Sequence, residues 1–164
     1  MTERPKLRLE EVAFLERDVT LRMPFRFGVV TLTEAPQTFV RARIRLSDGR
    51  AGWGAAAEML APKWFDKSPE LSNEDNFDQL RRALAIAAKV YQGEKTRRTA
   101  FGLHAAGAKA FRDAAGAAGL PPLVSGFGTA LLARATLAAL LRLEGVTGFQ
   151  PAPHTHIARS TAVP

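Results

Sequence analysis

The chain of 164 residues contains no cysteine. That removes disulfide scaffolds, thiolate zinc sites and thiol nucleophiles together, and it agrees with a reducing, cytoplasmic setting. Long apolar runs are missing too: no stretch reaches the ~18 uninterrupted residues of a membrane span, because the alanine-rich segments are broken by Arg, Lys and Gly. No membrane partner is expected. Behind the charges of Met1-Thr2-Glu3-Arg4-Pro5-Lys6 there is no apolar core of the kind a secretory leader needs. Positive charge is in excess, with 23 Lys and Arg against 16 Asp and Glu and a net charge of +7. It never gathers into a basic block, and no reading module accompanies it, so nucleic acid is not an expected partner.

Several catalytic constellations are also lacking. His154-Thr155-His156 offers two imidazoles with no acid or third histidine nearby, too few for a metal site. His104 has no serine in a nucleophile elbow to serve. Gly52-Trp53-Gly54 and Gly126-Phe127-Gly128 lack the remainder of a dinucleotide or phosphate loop and read as turn or helix-start glycines. No internal repeat is visible.

What is present fits one domain. From Phe39 to Ser47, Val40, Ala42, Ile44 and Leu46 alternate with Arg41, Arg43, Arg45 and Ser47, the period of a strand with one covered and one solvated face. Leu7 to Met23 alternates in two registers, and the slips near Glu10-Glu11 and Glu16–Asp18 predict a bulge or bend in a long strand. Asp48-Gly49 supplies a two-residue hairpin turn, with Arg50 to Ala57 returning as a third antiparallel strand.

From Ser72 the period changes. Ser72 can cap a helix whose first turn holds Glu74 and Asp75, and Phe77, Leu80, Leu84, Ala87 or Ala88 and Tyr91 form one apolar stripe. A second helix is predicted from Thr99 to Ala118, with Phe101, Ala108, Phe111 and Ala115 inward and Gly119 at its end. A third runs from about Gly126 to Leu143 and is apolar round most of its circumference, so its cover is expected to come from outside this sequence. Beyond Gly145 the pattern dissolves. The expected domain is therefore 1–145, with a disordered tail over 146–164.

Three segments, taken in order, carry a resemblance: Pro24-Phe25-Arg26-Phe27-Gly28, Gly52-Trp53-Gly54 and Pro62-Lys63-Trp64-Phe65-Asp66-Lys67. Together, across Leu7 to Gly145, they resemble the N-terminal capping domain of the enolase superfamily, in the mandelate racemase/muconate lactonizing enzyme branch. The resemblance implies an α+β fold, a three-stranded antiparallel sheet packed against about three helices. It also implies two mobile loops, Pro24 to Gly28 and Trp53 to about Lys67, closing over the mouth of a catalytic barrel. Phe25, Phe27, Trp64 and Phe65 would then offer apolar surface to a substrate, Arg26 or Lys63 would meet an anionic group, and Glu58 could touch substrate. The alternative, that the aromatics anchor the loops on the domain's own core, stays open.

Full-length members of that family are isomerases and lyases that remove the proton α to a carboxylate, with magnesium or another divalent ion stabilising the enediolate. Their metal ligands and base stand on barrel strands that have no counterpart here, so the resemblance assigns no catalytic and no metal-ligating residue. One further departure is Ala138, which stands where related sequences carry an acid. The chain is expected to be a truncated cap, silent by itself and needing a barrel before a small carboxylate becomes its ligand. The other reading is a non-enzymatic association module, docking through the third helix on a second copy or on a separate barrel protein.

Overall fold

Val40, Ala42, Ile44 and Leu46 are each all but completely buried, and Arg41, Arg43 and Arg45 alternate with them onto the opposite face of the sheet. They belong to the central strand of a computed structural model that describes residues 4–28 and 30–146. Its elements are β1 (Leu7–Phe27), β2 (Val30–Leu46), β3 (Ala51–Met59), α1 (Asn73–Gly93), α2 (Ala100–Ala117) and α3 (Pro122–Leu143). The sheet is antiparallel in the order β1-β2-β3. α3 packs on β3 and β2 and α1 beside β1, with α2 against α1 and α3, so the α+β class with three strands and three helices is as expected.

The strands are longer than the alternation alone indicated. One slip lies where it was expected: Leu9 pairs with Ile44 and Glu11 with Arg43, leaving Glu10 as the extra residue. Its carboxylate accepts from Arg45 Nε at 2.6 Å and Arg8 Nη2 at 3.1 Å. The second slip is not at Glu16–Asp18, where pairing is continuous, but between Thr20 and Phe25. There Pro24 cannot donate to the ladder, and Leu21 to Pro24 stand opposite Thr33 alone. Pro24 to Gly28 is thus mostly the end of β1 and not a free loop.

The β2–β3 connection is the four residues Ser47 to Arg50, where a two-residue turn was expected. Leu46 N–H donates to Arg50 O at 2.8 Å around Ser47-Asp48-Gly49, with Gly49 at φ +93°, a left-handed position that glycine takes without strain.

Gly52-Trp53-Gly54 lies within β3 and makes no turn. The glycines face α3: a Cβ on Gly54 would stand 2.1 Å from Ala139 N and 2.2 Å from Ala135 O. Trp53 faces the other way, under the guanidinium of Arg41 at 4.7 Å. Gly128 does the same on the far side of α3, where a Cβ would stand 2.2 Å from Ala83 O of α1. So the glycines of Gly126-Phe127-Gly128 also lie inside an element, and α3 starts at Pro122, a residue suited to a first helical turn.

This arrangement supplies the cover that α3 was expected to take from outside. The helix packs on β3 and β2 and against α1 and α2, burying Val124, Phe127, Leu131, Leu132, Ala135, Ala139 and Leu140. By length and composition it could cross a bilayer, but 56% of its most apolar window is already buried within the fold.

α1 follows expectation: Ser72 and Asp75 form a reciprocal capping box, and Phe77, Leu80, Leu84, Ala87, Ala88 and Tyr91 are buried. α2 differs. Its buried stripe is Leu103, Gly107, Phe111 and Ala115, and Ala108 is only partly covered. Phe101, two positions before Leu103 and so roughly 200° round the helix, is 66% exposed. The tail expected over 146–164, with its two histidines, lies outside the described residues but for Val146.

Candidate functional site

The connection between β3 and α1 is fixed from inside. Leu60 is fully buried and its N–H donates to Pro36 O at 2.9 Å. Lys63 then turns the chain through φ +60°, which is costly for a residue with a Cβ. Three bonds hold it there. Its N–H donates to Oδ1 of the buried Asn76 at 2.9 Å, and its ammonium donates to Ser68 O at 2.8 Å and to Leu71 O.

Asp66 completes the frame, its carboxylate accepting from Ser68 N–H at 3.0 Å and from Gln79 Nε2 at 2.9 Å. The Gln79 amide, followed by the Ser68 N–H, holds the Asp66 carboxyl below the usual carboxylate range.

With Lys63 turned, its two neighbours part. Phe65 goes inward and meets the Phe127 ring edge-on at 5.2 Å. Trp64 goes outward, half exposed, and meets Phe27 of the β1–β2 hairpin edge-on at 5.0 Å, with Phe25 5.6 Å beyond Phe27. Phe27 and Trp64, 37 positions apart in sequence and in two segments singled out by the resemblance, therefore converge at one end of the sheet.

Of the aromatic candidates, Phe25 and Trp64 are exposed, and the half-buried Phe27, packed against the core, joins them into one cluster. Phe65 is an anchor. The two readings of the aromatics thus divide between them residue by residue.

The charged candidates separate as well. Lys63 spends its ammonium on loop carbonyls. Arg26 is exposed, pairs across the ladder with Thr31, and makes no hydrogen bond or ion pair among the described residues. Glu58 is in β3 and not in the loop, and its carboxylate accepts from Arg134 Nη1 of α3 at 3.0 Å.

Trp64 borders two depressions. On one side is a groove of about 690 Å³ between the hairpin tip and the loop, with walls from Phe27, Val30, Lys63, Trp64, Lys67 and Pro69. On the other is a groove of about 600 Å³ along the start of α3, reached by Glu58, Phe65, Leu123, Phe127 and Arg134. Sequence reasoning quoted Lys67 within a motif and passed over it as a candidate. It also passed over Asn76, whose signal was a polar residue next to Phe77 in the buried stripe of α1.

The donor set does not suit magnesium. Among the described residues no group of three or more His, Asp or Glu comes together, and the two acids beside the site are already engaged, Glu58 by Arg134 and Asp66 by Gln79 and Ser68. The surface can bury an apolar group and present cations beside it.

No protein-family model and no curated protein matches the chain. Among solved structures, its fold is similar to that of a mandelate racemase/muconate lactonizing protein from Herpetosiphon aurantiacus, at 17% sequence identity and a TM-score of 0.46. The match covers 84% of this chain and 32% of that one, so the chain spans about a third of the length of that protein.

Proposed function

We propose that the chain acts as the capping, substrate-selecting part of an enzyme of the mandelate racemase/muconate lactonizing kind, an isomerase or lyase of the cytoplasm. The reacting carboxylate, the base and the magnesium ion would belong to a barrel carried by another stretch of polypeptide, and this chain alone would be silent. The observation that carries the reading is the contact of Phe27 with Trp64. It joins the two segments on which the resemblance rests into one exposed apolar tip, where a lid over a reaction centre would need it.

In that setting Phe25, Phe27 and Trp64 exclude water from the reacting carbon, which strengthens every electrostatic interaction with the developing enediolate. Lys63 keeps Trp64 outward, and Phe65 ties the loop to α3. A partner polypeptide, whether a separate barrel or a second copy, would meet the tip rather than α3, whose apolar surface is largely taken up within the fold.

The test joins this chain, in trans or by fusion, to the barrel of such an enzyme made without its own cap. Magnesium-dependent exchange of an α-proton for deuterium is then followed across a panel of carboxylates. Exchange that needs both parts and falls by about tenfold or more with Phe27→Ser or Trp64→Ser supports the reading. Exchange by this chain alone, or full exchange by both variants, overturns it.

A further inference from the structure

The two edges of the sheet differ. At β3 the outward carbonyls of Trp53 and Ala57 accept from Arg142 Nη1 at 3.4 Å and Arg134 Nη2 at 3.3 Å, so side chains of α3 occupy that edge. β1, the other edge strand, is covered only at its start, where Leu7 and Arg98 exchange backbone bonds of 2.7 and 2.9 Å. From Glu11 to Thr20 its pairing with β2 is unbroken, and no proline, glycine or bulge blunts the outer side. Phe14 and Leu15, in the middle of this stretch, point to opposite faces and are 43% and 50% exposed. An open edge with apolar residues at its centre is a template for another strand.

The backbone limits the registers such a strand can take. Leu15 O accepts from Thr38 Oγ1 of β2 at 3.5 Å and so points inward. By alternation the N–H and C=O groups of Ala13, Leu15 and Arg17 serve the β1–β2 ladder, and those of Val12, Phe14 and Glu16 face outward. Among the described residues no side chain or other element bonds these outward groups. An antiparallel neighbour bonds only where outward residue meets outward residue, so two copies of β1 must set even-numbered positions opposite even-numbered ones. One such register also matches charge. With Phe14 opposite Phe14 of the second copy, Ala13 faces Leu15 and Glu11 faces Arg17, and the symmetry makes each pair twice. A shift of two residues one way sets Glu16 against Phe14 and Asp18 against Val12; the same shift the other way sets Glu11 against Leu15. Within one copy Glu11 is exposed and makes no ion pair among the described residues. Arg17 donates to Gln37 Oε1 at 2.8 and 3.1 Å and covers the Phe39 ring, but meets no acid. Glu16 does not compete for it, being held by Arg81 at 2.8 Å.

From this geometry we infer that the chain forms an isologous dimer through β1, joining two three-stranded sheets edge to edge about a two-fold axis at Phe14. Phe14 covers its counterpart on the helix-bearing face, Leu15 covers Ala13 on the other, and the two Glu11–Arg17 pairs fix the register. The contact goes beyond the capping reading. It is additional to any made at the aromatic tip, to which none of these residues belongs.

The experiment uses the full chain, followed by sedimentation equilibrium from micromolar to millimolar concentration, with amide hydrogen exchange at both ends of the range. A monomer–dimer equilibrium is expected, in which the Val12, Phe14 and Glu16 amides become protected only in the dimer while Ala13 and Leu15 are protected throughout. Glu11→Arg and Arg17→Glu each set like charges opposite one another twice and should weaken the dimer by about tenfold. The double variant Glu11→Arg/Arg17→Glu should restore it. Phe14→Pro removes an N–H that serves only the dimer, so it should give a folded monomer by circular dichroism.

A monomer at every concentration, a dimer that survives Phe14→Pro, charge reversals that the double variant does not rescue, or dimer-dependent protection on α3 or the tip would overturn the inference. Its failure is separable from that of the capping role. A strict monomer that complements a barrel removes this interface and keeps the cap; a β1 dimer without complementation does the reverse.

Discussion

Gly54 of β3 and Ala139 of α3 meet backbone to backbone, so that a single methyl group on Gly54 would sit 2.1 Å from the Ala139 nitrogen. Contact distances of that order leave no room for side-chain adjustment. Gly54→Ala must either push α3 off the sheet or bend β3, and a loss of about 3 kcal/mol is expected, measured as a lower urea midpoint with unchanged slope. Gly128→Ala should cost about as much, whereas Gly126→Ala, with open space at its Cβ, should be neutral or stabilising by up to about 1 kcal/mol.

Thr136 is 2% exposed in the middle of α3, and its hydroxyl has no partner among the described residues. Thr136→Val removes that unmet polar group at nearly constant shape. The expected gain is about 1 kcal/mol, read as a rise in thermal midpoint; a fall would mean that the hydroxyl is satisfied in solution.

Tyr91, the one tyrosine of the chain, is buried and joined to His104 Nδ1 by a hydrogen bond of 2.7 Å. Burial pushes its phenol well above the ordinary value of 10.0. Above about pH 10 the unfolded chain therefore releases the proton while the folded chain keeps it, and stability falls as pH rises from there. Below that pH the contribution is complete. Urea unfolding at about pH 9 and pH 11 should show a smaller alkaline loss in Tyr91→Phe than in the parent protein, and phenolate absorbance should appear together with unfolding rather than before it.

The turn at Lys63 depends on Asn76. Asn76→Ala leaves the Lys63 amide without its acceptor and should cost about 2 kcal/mol, with faster amide exchange across residues 60–71. Trp64 emission should move to the red as the indole leaves Phe27. Unchanged protection in this loop would show that the Lys63 ammonium suffices to hold it.

Regular periodicity made much of the scaffold legible. The alternation Val40 to Leu46 and the stripe Phe77 to Tyr91 identify their buried faces because burial on one side imposes a period of two or of three to four. What could not be read from one dimension was contact between distant backbones. Glycine at 52, 54, 126 and 128 suggests turns when only neighbours in sequence are considered, whereas Gly54 and Gly128 are the places where α3 touches β3 and α1.

The same blindness made α3 look partnerless. At the site, the order of aromatic segments was enough to single out Phe25, Phe27 and Trp64. It could not say which of Trp64 and Phe65 points inward, nor that Lys63 turns its charge onto carbonyls, because the chain turns at Lys63 through a positive φ that its sequence does not announce.

Backbone contacts on both flanks of α3 have a mechanical corollary. With no rotamer between them to yield, sheet, α3 and α1 must travel as one solid. Flexing of the hairpin side of the aromatic tip is then left to the place where Leu21 to Pro24 stand opposite a lone threonine and the ladder lapses, a point set by proline chemistry and not by a glycine.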